Sequence, residues 1–244
     1  MALDPDKRFD SRPGFMTQAE AELAHVDVGL RQHMLKVYNY MASGLALTGL
    51  VAFAVASSET LVQTIFTSGL SWVVMLAPLA FVLLLSFRVH KMSVAGAQAT
   101  FWVFAAVMGV SMASIFLVFT GASIARVFFI TSATFAGMSL YGYTTKRDLT
   151  RWGSFLFMGL IGIIIAALVN LFLASAAVHF AISVIGVIVF VGLTAYDTQR
   201  VKEIYLESDA PETSTKKAIM GALALYLDFI NLFVLLLRFF GERR

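Results

Sequence analysis

The sequence predicts an all-α membrane protein, a bundle of seven transmembrane helices. Two observations carry this. Of 244 residues, 59% are hydrophobic and only 14% are charged, against about 25% charged in an ordinary soluble domain. The mean hydropathy of +0.82 makes the bilayer the main solvent. The apolar residues also gather into seven runs, each near the ~20 residues a helix needs to cross hydrocarbon.

The runs lie at about 34–56, 71–88, 99–119, 124–143, 153–174, 178–197 and 218–240. The joints are mostly short, which favours antiparallel neighbours in one bundle. Open sheets are excluded at this depth, because lipid cannot satisfy their edges. Residues 1–31 form a polar arm of mixed charge, unlike a cleavable signal peptide. The domain reading is an arm at 1–31, a transmembrane domain at 32–241 and a short tail at 242–244. The stretch "TQAEAELAHVDVGLRQHMLKVYNY" reads as an amphipathic helix feeding span one, with Thr17 and Glu20 as a capping box.

Basic residues set the orientation. Lys7, Arg8, Arg12, Arg31 and Lys36 precede or open span one. Arg88 and Lys91 follow span two. Lys146, Arg147 and Arg151 follow span four. Arg200, Lys202, Lys216 and Lys217 follow span six. These fourteen of the 18 basic residues share one side, so the N-terminus is expected in the cytoplasm. The opposite loops at 57–70 and 174–177 carry none. Seven full crossings put the C-terminus outside with Arg238, Arg243 and Arg244, against the positive-inside pattern. A re-entrant seventh segment is the alternative.

Composition also excludes chemistry. There are no cysteines, hence no disulfide, thiolate nucleophile or Cys-ligated metal. The net charge of +3 fits loop orientation, not nucleic-acid binding. His25, His33, His90 and His179 show no metal-ligand spacing. No nucleophile motif, phosphate loop or HExxH is present, so neither an enzyme nor a bound cofactor is expected. Asn39, Thr48, Asn170, Thr194 and Asn231 read as interhelical packing groups. Ser43, Gly44, Gly109, Ala113, Gly159, Gly162 and Gly186 read as close-approach positions.

The functional candidates are the ionisable residues within the spans. Asp228 sits in "LYLDFINLFVLLLRFF" (225–240), about ten residues into span seven, with no local cation. Asp197 closes span six in "GLTAYDTQR", and Arg88 closes span two in "LLLSFRVHK". Intramembrane carboxylates mark ion or proton paths. A carboxylate pair is a weak way-station for calcium, which takes oxygen ligands. Two carboxylates in low dielectric would share one proton, making a pH sensor without histidine. Arg88 could latch the sixth-span aspartate. Blander readings stand beside these: Asp197 as an interfacial residue beside Arg200, Arg88 as a snorkelling arginine, Asp228 as a structural hydrogen-bonding group.

The same residues carry a resemblance. "ALALYLDFINLFVLLLRFFG" (222–241), "VIVFVGLTAYDTQRVKEIY" (187–205) and "VYNYMASGLALTGLVA" (37–52) resemble the Bax inhibitor 1 family, bacterial branch, over residues 30–241. The resemblance implies that the seventh helix is central, wrapped by the other six in two three-helix layers. It implies a pH-sensitive calcium leak in the bacterial inner membrane, with Asp197 and Asp228 as the sensing pair and Arg88 as the latch. It implies as an alternative a membrane-embedded regulator that binds a membrane-bound AAA protease or stress-response partner through the arm. One departure is plain: span two has no acid between Trp72 and Arg88, where some relatives carry one. The oligomeric state stays open.

Overall fold

All seven apolar runs fold as long helices, and a short eighth helix joins the first two. The computed structural model describes the backbone of residues 18–244 and the side chains of residues 28–244. In chain order the helices are α1 (Gln18–Ala56), α2 (Glu59–Phe66), α3 (Leu70–Arg88), α4 (Val94–Val118), α5 (Gly121–Thr144), α6 (Thr150–Leu173), α7 (Ala176–Glu203) and α8 (Pro211–Phe240). Among the described residues there is no strand. Every helix but α2 is long and apolar enough to cross a membrane. The backbone runs unbroken from Gln18 into the first span, but Thr17 and the side chains of the amphipathic stretch up to residue 27 lie outside the described residues.

Short polar joints start the helices. Ser58, Ser93, Thr120 and Ser175 cap α2, α4, α5 and α7, each side chain accepting from a first-turn N–H. Pro211 opens α8, where a missing N–H costs nothing. Before α6, the Thr150 hydroxyl and N–H donate to Asp148 and hold its carboxyl below the usual carboxylate range. Pro78 sits buried inside α3 and cannot donate to the carbonyl four residues back. That carbonyl belongs to Val74, and the Ser111 hydroxyl of α4 donates to it instead.

Three boundaries differ from the sequence reading. α2 fills part of the expected loop at 57–70, with Ile65 buried. α7 does not stop at Asp197 but runs on to Glu203, which places Asp197 roughly two turns inside the helix. α8 begins at Pro211, well before residue 218.

The helices stack in two layers around α8. α3 and α1 pack on α4; α5 and α6 pack on α7. α8 lies between, against α1, α4, α5 and α7. Within its spanning window 72% of α8 is buried inside the protein, against 6% to 28% for the other six. α6 and α3 are outermost and present Phe155, Phe172, Trp72 and Phe87 outward. Close approach relies on small residues in part as expected. A Cβ on Gly44, Gly109, Gly159 or Gly186 would press on Phe101, the Thr48 carbonyl, Val189 or Leu235, whereas nothing lies within 4 Å of Gly162.

The alternating helices define two faces. One holds the α3–α4, α5–α6 and α7–α8 joints with their basic residues, tied together by side chains. Lys36 Nζ donates to Thr215 Oγ1 at 2.6 Å, Lys202 Nζ to the Tyr143 carbonyl at 2.9 Å, and Lys217 Nζ to Asp209 at 2.6 Å. On the opposite face the C-terminal tail meets the α4–α5 joint. Thr120 N–H donates to the Glu242 carbonyl at 2.9 Å and Arg244 N–H to the Val118 carbonyl at 3.0 Å. α8 therefore runs from one face to the other and does not turn back.

A buried carboxyl pair between α7 and α8

α8 brings Asp228 to the centre of the bundle. Its side chain is 4% exposed, and its Oδ2 has no hydrogen-bond partner among the described residues. Asp197 of α7 is half-buried, and the two carboxyls lie within hydrogen-bonding reach of each other. Two carboxylates are both acceptors, so a bond between them requires a proton on one. The two helices are antiparallel in a register that sets Gly221 of α8 against Val201 and Gly186 of α7 against Leu235, and this brings Asp197 and Asp228 to a common level.

The cation whose charge acts on Asp197 is Arg200, three residues on along α7. Arg88 is not brought there. Its side chain is exposed at the end of α3. α3 packs on α4, in the other layer from α7. Among the described residues the ion pairs are Arg126–Glu242 and Lys217–Asp209, and Arg88 joins neither. Among the described residues Arg88 and Asp197 thus form no ion pair.

A hydrogen-bonded chain ends beside Asp197, unnoticed in the sequence. Thr198 Oγ1 donates to the Thr194 carbonyl at 2.7 Å. With that proton committed, Ser139 donates to Thr198 at 3.0 Å, and Tyr38 donates to Ser139 at 2.5 Å. Tyr38 and Ser139 line a cavity of about 540 Å³ between α1 and α5 that also includes Arg31 and Tyr143. Nearer the basic face, Gln199 holds the α5–α6 joint from both sides. Its Nε2 donates to the Arg147 carbonyl at 2.8 Å, and its Oε1 accepts from Leu149 N–H at 2.8 Å.

This geometry needs α5 against α7. A Cβ on Gly142 would lie 2.2 Å from the Ala195 carbonyl oxygen, a backbone atom that cannot rotate away. Gly142→Ala is therefore expected to push the two helices apart and cost about 1–3 kcal/mol, the usual range for overpacking. Unfolding of the purified protein in mixed micelles would show it as an earlier midpoint. An unchanged midpoint would mean the helices are not in this contact.

Of the remaining polar residues in the spans, Thr48 bridges helices, donating to the Ala105 carbonyl at 2.8 Å and meeting Tyr226 Oη at 2.7 Å. Among the described residues Thr194 and Asn231 donate only to carbonyls of their own helices. Asn170 caps the α6–α7 joint by accepting from Ser175 N–H. His33 is buried against Tyr205, with neither ring nitrogen partnered among the described residues.

Comparison with known proteins sets this pair in a family. The family model described as "Inhibitor of apoptosis-promoting Bax1" matches residues 30–244. The chain belongs to the Bax inhibitor 1 family. It is 49% identical over 219 residues to the inner membrane protein YbhL of Escherichia coli strain K12, covering 88% of this chain and 94% of that one. It is 51% identical over 218 residues to the uncharacterized protein RP147 of Rickettsia prowazekii, covering 89% and 92%. It is 43% identical over 247 residues to an uncharacterized protein of Caulobacter vibrioides, covering 96% and 99%. The Bax inhibitor 1 family match spans the whole seven-helix bundle, including both aspartates. It is a family of multi-pass membrane proteins and not a known enzyme class.

Proposed function

We propose that this protein is a pH-sensitive calcium leak channel of the bacterial inner membrane, gated by a proton shared between Asp197 and Asp228. One observation carries the reading: two carboxyls within hydrogen-bonding reach in the interior of a membrane-spanning bundle. With one proton between them, the pair bonds α7 to α8 and the path is closed. As pH rises the proton leaves. Two negative charges then face each other away from bulk water and repel. The helices part, and the freed carboxylates attract a cation. Opening belongs to higher pH and closure to lower pH.

Calcium suits the oxygen chemistry as the ion that passes. It takes six to eight oxygen ligands. Among the described residues no group of three or more His, Cys, Asp or Glu side chains converges. A two-carboxylate station with water completing the shell would hold calcium weakly, as a passive leak requires. In this reading the basic face and the N-terminus are cytoplasmic, as the positive-inside rule asks, and the C-terminus is outside.

The test is calcium entry into dye-loaded proteoliposomes across a series of pH values. Flux that rises with pH supports the reading. Folded protein that passes no calcium at any pH overturns it.

A further inference from the structure

The face opposite the basic loops carries a second polar feature, far from the carboxyl pair. A cavity of about 390 Å³ lies where α6, α7 and α8 end, lined by Arg238, Arg243, His179, Asn170, Ser175 and Ser183. No carboxylate is among its lining residues. The nearest acid along the tail, Glu242, is engaged instead by Arg126 at 3.1 Å. Ser183, 2% exposed, is the most buried of the polar lining groups.

The surroundings are rich in donors. Ala174, at the end of α6, takes a left-handed backbone (φ 48°), and its N–H donates to the Asn170 carbonyl at 2.9 Å. The chain then turns directly into α7. Asn170 Oδ1 accepts from Ser175 N–H at 3.1 Å, which leaves the amide NH₂ of Asn170 to donate elsewhere. Ser175 accepts from Val178 N–H through its hydroxyl and from His179 N–H through its carbonyl. Among the described residues the N–H groups of Ala176 and Ala177 remain the open donors at the positive end of α7. Two permanent cations, a histidine and an amide thus surround one space. Arg238 and Arg243 are also two of the basic residues that break the positive-inside pattern.

We infer that this cavity is a binding site for a phosphate-type oxyanion. Guanidinium forks match phosphate oxygens two at a time, and helix N-termini take the same ligand. The site lies at the ends of spanning helices, beside the outward-facing Phe172 and Phe180. A phospholipid headgroup and free phosphate share the required chemistry.

The experiment uses the purified full chain in a neutral maltoside detergent. Thermal stability is titrated with two probes. One is inorganic phosphate, compared with chloride at equal ionic strength. The other is phosphatidylglycerol, compared with diacylglycerol, which lacks the phosphate. At least one phosphate-bearing probe is expected to stabilise the protein. Arg238→Gln and Arg243→Gln should each weaken that binding about tenfold, while Lys91→Gln, on the opposite face, should bind as wild type does. Should Arg238→Gln fail to fold, Arg243→Gln in the exposed tail reads the same site. Stabilisation by both probes supports a general oxyanion site. Stabilisation by phosphatidylglycerol alone supports a headgroup site, and by inorganic phosphate alone a soluble-anion site. Stabilisation by neither probe, or equal binding in the arginine variants, overturns the inference.

Discussion

Asp228→Asn is expected to leave the bundle folded and to abolish the pH dependence of calcium flux. Asparagine has nearly the shape of aspartic acid, and its NH₂ can donate to Asp197 in place of the proposed shared proton. What it cannot do is develop a second negative charge. In the wild-type protein, two unit charges about 4 Å apart at an effective dielectric constant of 20 repel by about 4 kcal/mol. That corresponds to roughly a thousandfold bias in an open–closed equilibrium. The variant loses that bias at every pH. A pH profile in Asp228→Asn that matches wild type would reduce Asp228 to a structural hydrogen-bonding group.

The second large effect concerns stability. Tyr226 lies two residues before Asp228 on the central helix and is fully buried. Its ring meets Phe104 and Phe101 edge-on, with centroids 5.2 Å and 6.4 Å away. Thr48 directs its own proton to the Ala105 carbonyl, so the Tyr226 hydroxyl is the donor in their 2.7 Å bond. Hydrophobic exclusion from water does not hold helices together inside lipid, and packing carries that role. Tyr226→Ala is expected to cost about 3–5 kcal/mol, the range for emptying a large aromatic site. Tyr226→Phe keeps the ring, loses one hydrogen bond and should cost about 1 kcal/mol. Unfolding curves of the two variants in mixed micelles check both the order and the gap. Equal losses would mean that the hydroxyl, not the ring, holds α8 in place.

Much of the fold is legible in the sequence because lipid leaves few alternatives. Each span must be a helix and must be about 20 residues long. Asp228 is conspicuous because it is alone among apolar neighbours. Hydropathy marks where hydrocarbon ends, however, and not where the helix ends. α7 continues past Asp197 through Arg200 and Lys202, whose charge suits a helix C-terminus. α8 starts at Pro211 within residues too polar to count as a span. α2 is too short to register as a span at all. Position around the bundle is also hidden. Arg88 closes α3 where the span was expected to end, yet it makes no ion pair with Asp197 among the described residues. The chain from Tyr38 through Ser139 to Thr198 joins residues 101 and 59 positions apart, and each hydroxyl alone looks like an ordinary polar residue in a span.

The proton proposed to be shared by Asp197 and Asp228 is open to direct observation. Infrared difference spectra of the reconstituted protein, recorded across a pH titration, report the stretching band of a protonated carboxyl. A shared proton between Asp197 and Asp228 predicts a band in wild type that fades as pH rises over the range where calcium flux increases. The same band should be missing in Asp228→Asn, where the asparagine NH₂ takes the place of the proton. A wild-type spectrum without a titrating carboxyl band, or one that persists unchanged in Asp228→Asn, would contradict gating by this pair.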